Sequence, residues 1–180
     1  MRNEILLFLA LAMIIMTSCS PRLTPFTQRL YKENGWSERD LQSIQFYLSQ
    51  DIVLSRQVRD GDSAIKDGKV KVVSGRDVEE IRFPKGTPGV LLFIPKINRF
   101  AISFEEGGSE KHIMFGPNQK YSGKYMMLAA DWDRNYGTVS YNDKVYRTDS
   151  ESAYAALLID LKALRKTTVK RKTAKGRTVN

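Results

Sequence analysis

The sequence predicts a mainly β fold with flanking helices (α+β): a small antiparallel barrel or sandwich with two N-terminal helices and one C-terminal helix. Short β runs separated by turn residues recur roughly every 8–12 residues from Asp51 to Thr148, a spacing typical of antiparallel sandwiches and barrels. Apolar residues at helical spacing flank this region on both sides. The 180-residue chain is long enough for one domain with a buried core.

Two helices are predicted before the β region. The first runs to Lys32, on the helical spacing of Leu23, Phe26 and Leu30, and Asn34-Gly35 is a typical helix C-terminus.

The second predicted helix begins after Ser37, a good N-cap residue, with Glu38 and Asp40 in its first turn. Trp36 is placed to pack as a hydrophobic staple, and we prefer this packing role to a binding role. The apolar face of this helix runs through Ser49 and consists of Leu41, Ile44 and Leu48.

The strands follow in a continuous series. In chain order they are Ile52–Val58, Lys69–Val73, Val78–Phe83, Val90–Ile94, Arg99–Phe104, Lys111–Phe115, Tyr125–Ala130, Thr138–Tyr141 and Lys144–Arg147. Asp67-Gly68 and Asn142-Asp143 predict hairpin turns. Val90–Ile94 is almost wholly apolar, which predicts a central buried strand.

A C-terminal helix is predicted from Asp149 or Ser150, either of which can cap it. Its apolar stripe, expected to pack on the barrel, consists of Tyr154, Leu157, Leu158, Leu161 and Leu164. One mainly β domain is therefore expected over residues 28–164, with a mobile basic tail over 165–180.

The positive charge is concentrated at the C-terminus. The chain carries a net charge of +9, and eight positive charges without any acid lie from Lys162 onward. Arg2 and Glu4 cancel, so residues 19–161 carry +1. The high isoelectric point is a property of the tail and not of the folded body.

The N-terminus has the pattern of an export signal. A basic start is followed by the apolar run Ile5–Met16 and by Thr17-Ser18 directly before Cys19. The run has 12 residues, whereas a membrane-spanning helix needs about 20. This length argues against an uncleaved membrane anchor. A plain cleaved export signal remains an alternative.

The small residues before Cys19, the only cysteine, resemble the lipobox of bacterial lipoprotein precursors. The resemblance covers residues 1–19 alone. It implies a signal peptide over 1–18, a lipid-bearing Cys19 as the first mature residue and a tether over 19–27. By the family's sorting rules, Ser20 implies an outer-membrane location facing the periplasm. A lipidated Cys19 leaves no thiol for disulfides, metal ligation or nucleophilic catalysis.

The basic tail has three interpretations: nucleic-acid binding, binding to an anionic wall polymer or lipid, and a solvated tail that aids solubility. The export signal argues against nucleic acid. The tail residues that would contact an anionic surface are Lys170, Arg171, Lys172, Lys175 and Arg177.

An aromatic rim is the second candidate binding feature. Tyr, Trp and Arg at a loop rim suit protein recognition or sugar stacking. The rim residues are Tyr121, Tyr125, Trp132, Arg134 and Tyr136. Asp131, Asp133 and Asn135 alternate as calcium ligands do, but the glycine is one place late and no glutamate closes the loop, so turn formation explains them better.

The sequence contains no recognisable catalytic arrangement. His112 is the only histidine and has no serine-nucleophile motif to serve, so we interpret it as a surface histidine. Glu79-Glu80 and Glu105-Glu106 are sequence neighbours, whose side chains would point to opposite faces of a strand. No cofactor is predicted.

The first functional hypothesis is a non-catalytic, lipid-anchored envelope protein, an accessory or structural component of an outer-membrane assembly or secretion complex. Its expected partners are the membrane, through the lipid, and an envelope protein. The alternative is a module that binds a wall polymer or glycan through the rim and the tail. A hydrolase that uses scattered carboxylates ranks third.

Replacing Cys19 tests the anchor directly. Cys19→Ala removes the only thiol that a lipid can modify, so acyl labelling should be lost and the protein should leave the membrane fraction. Metabolic labelling with a fatty-acid analogue and fractionation measure both, with Ser20→Ala as the control. A Cys19→Ala protein that keeps its lipid and its membrane fraction would contradict the lipoprotein prediction.

Overall fold

The structure, a computed structural model, describes residues 22–58, 69–73 and 76–165. The signal peptide, Cys19, the Asp67-Gly68 turn and the basic residues from Lys170 to Arg177 lie outside the described residues. Across the described ranges, no helix combines the length and the apolar character needed to cross a membrane.

The fold is mainly β, as predicted, and consists of two antiparallel sheets with three short helices. The first sheet contains β1 (Thr24–Pro25), β2 (Phe46–Leu48), β6 (Pro88–Lys96), β7 (Arg99–Ser103), β8 (Ile113–Asn118), β9 (Lys124–Met127) and β13 (Leu157–Ile159). The second contains β3 (Ile52–Gln57), β4 (Lys69–Val73), β5 (Arg76–Phe83), β10 (Ala130–Asp133), β11 (Tyr136–Tyr141) and β12 (Lys144–Asp149). The helices are α1 (Gln28–Asn34), α2 (Glu38–Gln42) and α3 (Leu161–Arg165).

The first sheet closes into a barrel. Its seven strands have the order β1-β13-β2-β6-β7-β8-β9. The two ends of this order meet, because the Phe26 N–H donates to Leu157 O (2.8 Å) and the Tyr125 N–H donates to Phe26 O (3.0 Å). A further bond from the Met127 N–H to Ala155 O (2.9 Å) joins β9 to the chain before β13. Closure leaves these backbone groups paired instead of at an open sheet edge.

Aromatic rings fill the barrel around Phe26. Its ring centroid lies 5.0 Å from that of Tyr125, 5.4 Å from Phe46 and 5.7 Å from Phe100. All four side chains are fully buried. The tether predicted over 19–27 therefore ends earlier, since residues 24–27 belong to the barrel.

The second sheet has the order β10-β11-β12-β3-β5-β4 and shares its core with the barrel. Phe83 on its inner face lies 5.5 Å from Tyr141 and 5.8 Å from Phe104, and Phe104 in turn lies 6.0 Å from Phe115 inside the barrel. One continuous apolar cluster therefore joins the two sheets.

Three local predictions in the described residues are confirmed: the start of α2, the end of α1 and the Asn142-Asp143 turn. Ser37 and Asp40 form a capping box at the start of α2, and Gly35 ends α1 with a φ of 59°. Trp36 packs on the core and stacks on Phe26 at 6.0 Å. The Asn142-Asp143 turn has φ values of 50° and 56°, the left-handed conformation that such hairpin turns require.

The second N-terminal helix is much shorter than predicted. α2 ends at Gln42, and Phe46 and Leu48 are buried alternate residues of β2 instead of a helical face. Leu41, Ile44 and Leu48 fit the helical period, but pairing of β2 with both β13 and β6 buries its backbone in the sheet. The first helix also starts later, at Gln28, because the preceding residues close the barrel.

The long C-terminal helix was a wrong prediction. Leu157 and Ile159 point into the core from β13, and only Leu161–Arg165 is helical. Pairing with β1 and β2 outweighs the helical spacing of the leucines. Tyr154 lies in a short 3-10 turn, Ser152–Tyr154, and is exposed.

The strand predicted to be central and buried is paired on both sides, with β2 and β7, but is not buried on both faces. β6 lies fourth in the order of seven strands. Leu91 faces the core, whereas Val90 is exposed. A continuous run of apolar residues does not indicate which face of the strand is exposed to solvent.

A buried ion pair lies at the end of the inner face of the second sheet. The Arg56 Nε donates to Glu79 Oε2 at 2.5 Å, and the side chains are 11% and 1% exposed. The Arg56 guanidinium also lies 5.8 Å from the centre of the Tyr146 ring. Burial, followed by the charge of Glu79, raises the pKa of Tyr146. Glu80, the next residue, points to the opposite face, as the strand period predicts.

Neutralising Glu79 should destabilise the fold. Glu79→Gln removes the buried charge that faces the Arg56 guanidinium, which we expect to lower the free energy of unfolding by about 3–5 kcal/mol. Urea unfolding measures this, and Glu80→Gln on the opposite face is the control, with an expected loss below about 1 kcal/mol. The double variant Arg56→Met/Glu79→Leu should recover most of the stability. Equal stability of Glu79→Gln and the wild type would show that the ion pair is not needed.

Candidate functional site

Three partly exposed aromatic side chains line one groove where the two sheets meet. Tyr121, Trp132 and Tyr154 are 40%, 45% and 50% exposed. We call this the aromatic groove, and its volume is 430 Å³. Its remaining lining residues are Asn118, Lys120, Met126, Met127, Leu128, Ala129, Ser150 and Ala153.

Tyr121 is positioned by a tight turn after β8. The 3-10 turn Gln119–Tyr121 begins at Asn118, whose side chain accepts a hydrogen bond from the Lys120 N–H (3.1 Å). Ser122 has a φ of 57°, and the Gly123 N–H donates back to Asn118 O at 2.9 Å. The phenol of Tyr121 is therefore held on a short, rigid connection to β9.

Tyr154 is positioned by hydrogen bonds of buried Ser152. The Ser152 N–H donates to Asp149 Oδ1 (2.7 Å), and its Oγ accepts from the Val53 N–H (3.0 Å). These bonds fix the turn that carries Tyr154 to β3 and β12. The rings of Tyr154 and Tyr121 then meet edge to face, with their centroids 5.6 Å apart.

The hydrogen bond between the two phenols, together with partial burial, raises the pKa of Tyr121. Tyr121 therefore stays neutral near pH 7, where its hydroxyl can donate or accept a hydrogen bond.

Trp132 is positioned by a glycine on the neighbouring strand. A Cβ built on Gly137 would lie 3.0 Å from Trp132 Cε2 and 2.8 Å from Ala129 Cβ. The indole thus lies against β11 at a point where any side chain would push it away. Gly137 is needed for this close approach and not for an unusual φ.

The predicted rim is only partly brought together. Tyr121 and Trp132 meet in the aromatic groove, but Tyr125 is fully buried in the barrel and its hydroxyl donates to Asn98 Oδ1 (3.1 Å). Burial raises the pKa of Tyr125. Exposure of Tyr125 was therefore a wrong prediction, because Tyr125 packs against Phe26 and Phe100 inside the barrel.

Tyr136 and Arg134 lie elsewhere. Tyr136 lines a separate open trough on the outer face of the second sheet, with Arg147 and Val145. Arg134 occupies the turn between β10 and β11 with a φ of 52°. Tyr136 pairs with Asp133, the neighbour of Trp132 on β10. Because neighbouring residues of a strand face opposite sides of the sheet, Trp132 and Tyr136 lie on two different surfaces.

Tyr154 is the groove residue that the sequence did not indicate. Its spacing to Leu157 and Leu161 assigned it to the apolar face of a helix. Asp149 and Ser152 form a pattern typical of turns. This pattern could have indicated a turn at Ser152–Tyr154 instead of the start of a long helix.

The calcium candidates lie on the β10–β11 hairpin. Asp131, Asp133 and Asn135 are exposed, and Asp131 Oδ2 lies 3.5 Å from the Thr138 hydroxyl. Within the described residues, no group of three or more His, Cys, Asp or Glu side chains is arranged to hold a metal ion.

His112 and Glu105, which the sequence analysis considered as possible catalytic residues, make contacts within the fold. His112 Nδ1 lies 2.6 Å from Ser109 O, and its ring meets Phe93 at 5.1 Å. Glu105 accepts a hydrogen bond from the Tyr141 hydroxyl (2.5 Å) and pairs with Lys111 (3.1 Å).

A second, charged groove adjoins the aromatic one. It measures 690 Å³ and shares Tyr154 with the first groove. Asp51 pairs with Arg82 there and accepts a hydrogen bond from the Lys85 N–H (2.7 Å). The bond from Lys85, followed by the one from Arg82, lowers the pKa of Asp51. The charged side chains Asp51 and Arg82 of this groove are therefore already paired with each other.

Comparison with protein-family models, curated proteins and solved structures finds no match to this chain.

Adding one methyl group should displace the Trp132 ring. In Gly137→Ala the new Cβ meets the indole at 3.0 Å, so we expect Trp132 to move outward and to become more accessible to iodide quenching. The measurement uses a Trp36→Phe background, in which Trp132 is the only fluorescent indole. Ser140→Ala on the same strand is the control. Unchanged quenching in Gly137→Ala would show that Gly137 does not position the ring.

Proposed function

We propose that this chain is a non-catalytic, lipid-anchored envelope protein that serves as an accessory component of an outer-membrane assembly or secretion complex. A lipid on Cys19 would hold it in the outer membrane, facing the periplasm. The aromatic groove is the surface that would contact the protein partner.

The observation that carries this proposal is the meeting of Tyr121, Trp132 and Tyr154 in one groove. These residues are far apart in the sequence, so their proximity is a consequence of the fold. Tyrosine and tryptophan are the residues most enriched at the centres of protein interfaces, where one side chain contributes about 2 kcal/mol or more. A volume of 430 Å³ suits a few side chains of a partner segment.

The groove offers more for binding than for catalysis. Its described lining has one charged side chain, that of Lys120, and no carboxylate or histidine. The buried carboxylate of Glu79 is paired with Arg56 away from this groove.

Removing two groove aromatics should release the partner. Trp132→Ala/Tyr154→Ala deletes two central contacts, and a loss of about 2 kcal/mol each corresponds to roughly thirtyfold weaker binding per residue. Affinity purification of tagged protein from gently solubilised envelopes, after crosslinking, measures the recovered partner. Val145→Ala, an exposed position on the far side of the second sheet, is the control.

Two results would count against a complex. One is recovery of the wild-type protein alone in several mild detergents. The other is equal partner recovery by the groove variant and the wild type.

The second candidate function is binding of a wall polymer or glycan, which is favoured by the position of Trp132 against Gly137. A ring held from behind presents an apolar surface flanked by polar groups, here Asn118, Lys120 and Ser150. Sedimentation with purified wall material would show salt-sensitive binding that weakens in Trp132→Ala and in a chain without residues 165–180. Failure of all three forms to co-sediment would exclude this function.

A further inference from the structure

One end of the barrel collects the connections of the chain. In an antiparallel sheet of order β1-β13-β2-β6-β7-β8-β9, neighbouring strands run in opposite directions. The starts of β1, β2, β7 and β9 therefore lie at the same end as the ends of β13, β6 and β8. We call this the anchor end, because the chain enters the barrel there.

Only a short stretch of chain joins the anchor end to Cys19. β1 begins at Thr24, five residues after Cys19, and five residues of chain span at most about 18 Å. A lipid on Cys19 would therefore hold this end against the membrane surface. The chain also leaves from this end through α3, after which the last 15 residues contain six positive charges and no acid.

An exposed isoleucine forms the tip of a hairpin at the anchor end. Ile97 joins β6 to β7 and is 88% exposed, more than any other large apolar residue that the structure describes. Two-residue hairpin loops normally carry Gly, Asn or Asp. The tip is held in place, since Asn98 has a φ of 62° and its Oδ1 accepts a hydrogen bond from the buried Tyr125 hydroxyl (3.1 Å).

Exposed cations surround the isoleucine. Lys96 and Arg99 flank it, and Lys120 lies in the β8–β9 connection at the same end. Two carboxylates also lie at this end: Glu38 accepts from the Ile94 N–H (3.1 Å), and Asp160 accepts from the Lys162 N–H (2.9 Å). Lys and Arg side chains near an anionic lipid surface are attracted to its phosphates.

We infer that the anchor end docks on an anionic phospholipid surface, with Ile97 inserted among the acyl chains and with Lys96 and Arg99 at the phosphates. The inference rests on the lipid proposed at Cys19, which supplies the proximity. Docking gives the domain one orientation on the membrane and points the opposite end, with the Asn142-Asp143 turn, away from the bilayer.

A fluorescent probe on the hairpin tests this inference. In the lipidated full chain Cys19 is blocked, so Ile97→Cys supplies a single thiol for an environment-sensitive dye. The protein is reconstituted in vesicles of phosphatidylethanolamine and phosphatidylglycerol that carry a spin-labelled quencher lipid. Val145→Cys is the matched control, because Val145 is 66% exposed and follows the turn whose Asn142 N–H binds Glu110 O (2.9 Å) at the opposite end.

We expect a blue-shifted emission and strong lipid quenching for the probe at 97, and neither for the probe at 145. Adding Lys96→Glu/Arg99→Glu should abolish the quenching at 97 although the protein stays anchored. A probe at 97 that remains as solvent-exposed as the probe at 145 would overturn the inference. Intact mass reports the acyl chain separately, so a missing anchor and an undocked hairpin give different results.

Discussion

The architecture depends on the position of Phe26. Its backbone bonds to Leu157 on one side and to Tyr125 on the other, and so closes the first sheet. Its fully buried ring is also the centre of the aromatic packing that includes Phe46 and Phe100. Because one residue provides both the backbone closure and the centre of the core, the barrel can form only together with its packing. A separated β1 would leave the edges of β13 and β9 unpaired and the rings in contact with water.

The candidate surfaces follow from this closure. Closure brings Gly123 beside Gln28 and Met127 beside Ala155, which places the turns carrying Tyr121 and Tyr154 next to each other. The second sheet then adds Trp132 from β10, an edge strand. The aromatic groove therefore exists where three separate segments meet. The same closure brings the chain into the core at Phe26, seven residues after Cys19, so only a short stretch of chain separates the domain from the proposed lipid site.

The sequence predicted helix caps and turns correctly where they depend only on interactions between residues close together in the chain. Ser37 with Asp40 satisfies the first N–H groups of a helix, and Asn142-Asp143 adopts the left-handed turn that joins two twisted strands. The predicted strand over Lys69–Val73 coincides with β4. The helix predictions failed where apolar spacing fitted two periods at once. Leu41, Ile44 and Leu48 lie on a helical face, yet Phe46 and Leu48 also alternate, and pairing with β13 and β6 decided for the strand.

The sequence by itself determined the fold class, the turns, the concentration of positive charge in the tail and the lipobox-like placement of Cys19. Only the tertiary structure decided which aromatic residues are exposed. Tyr125 and Tyr121 have similar sequence surroundings, but one lies inside the barrel and the other lines the groove. The physical reason is that burial depends on which distant strands pair. Composition and periodicity describe a residue's neighbours along the chain, whereas hydrogen bonds between distant segments determine which side of the sheet is covered.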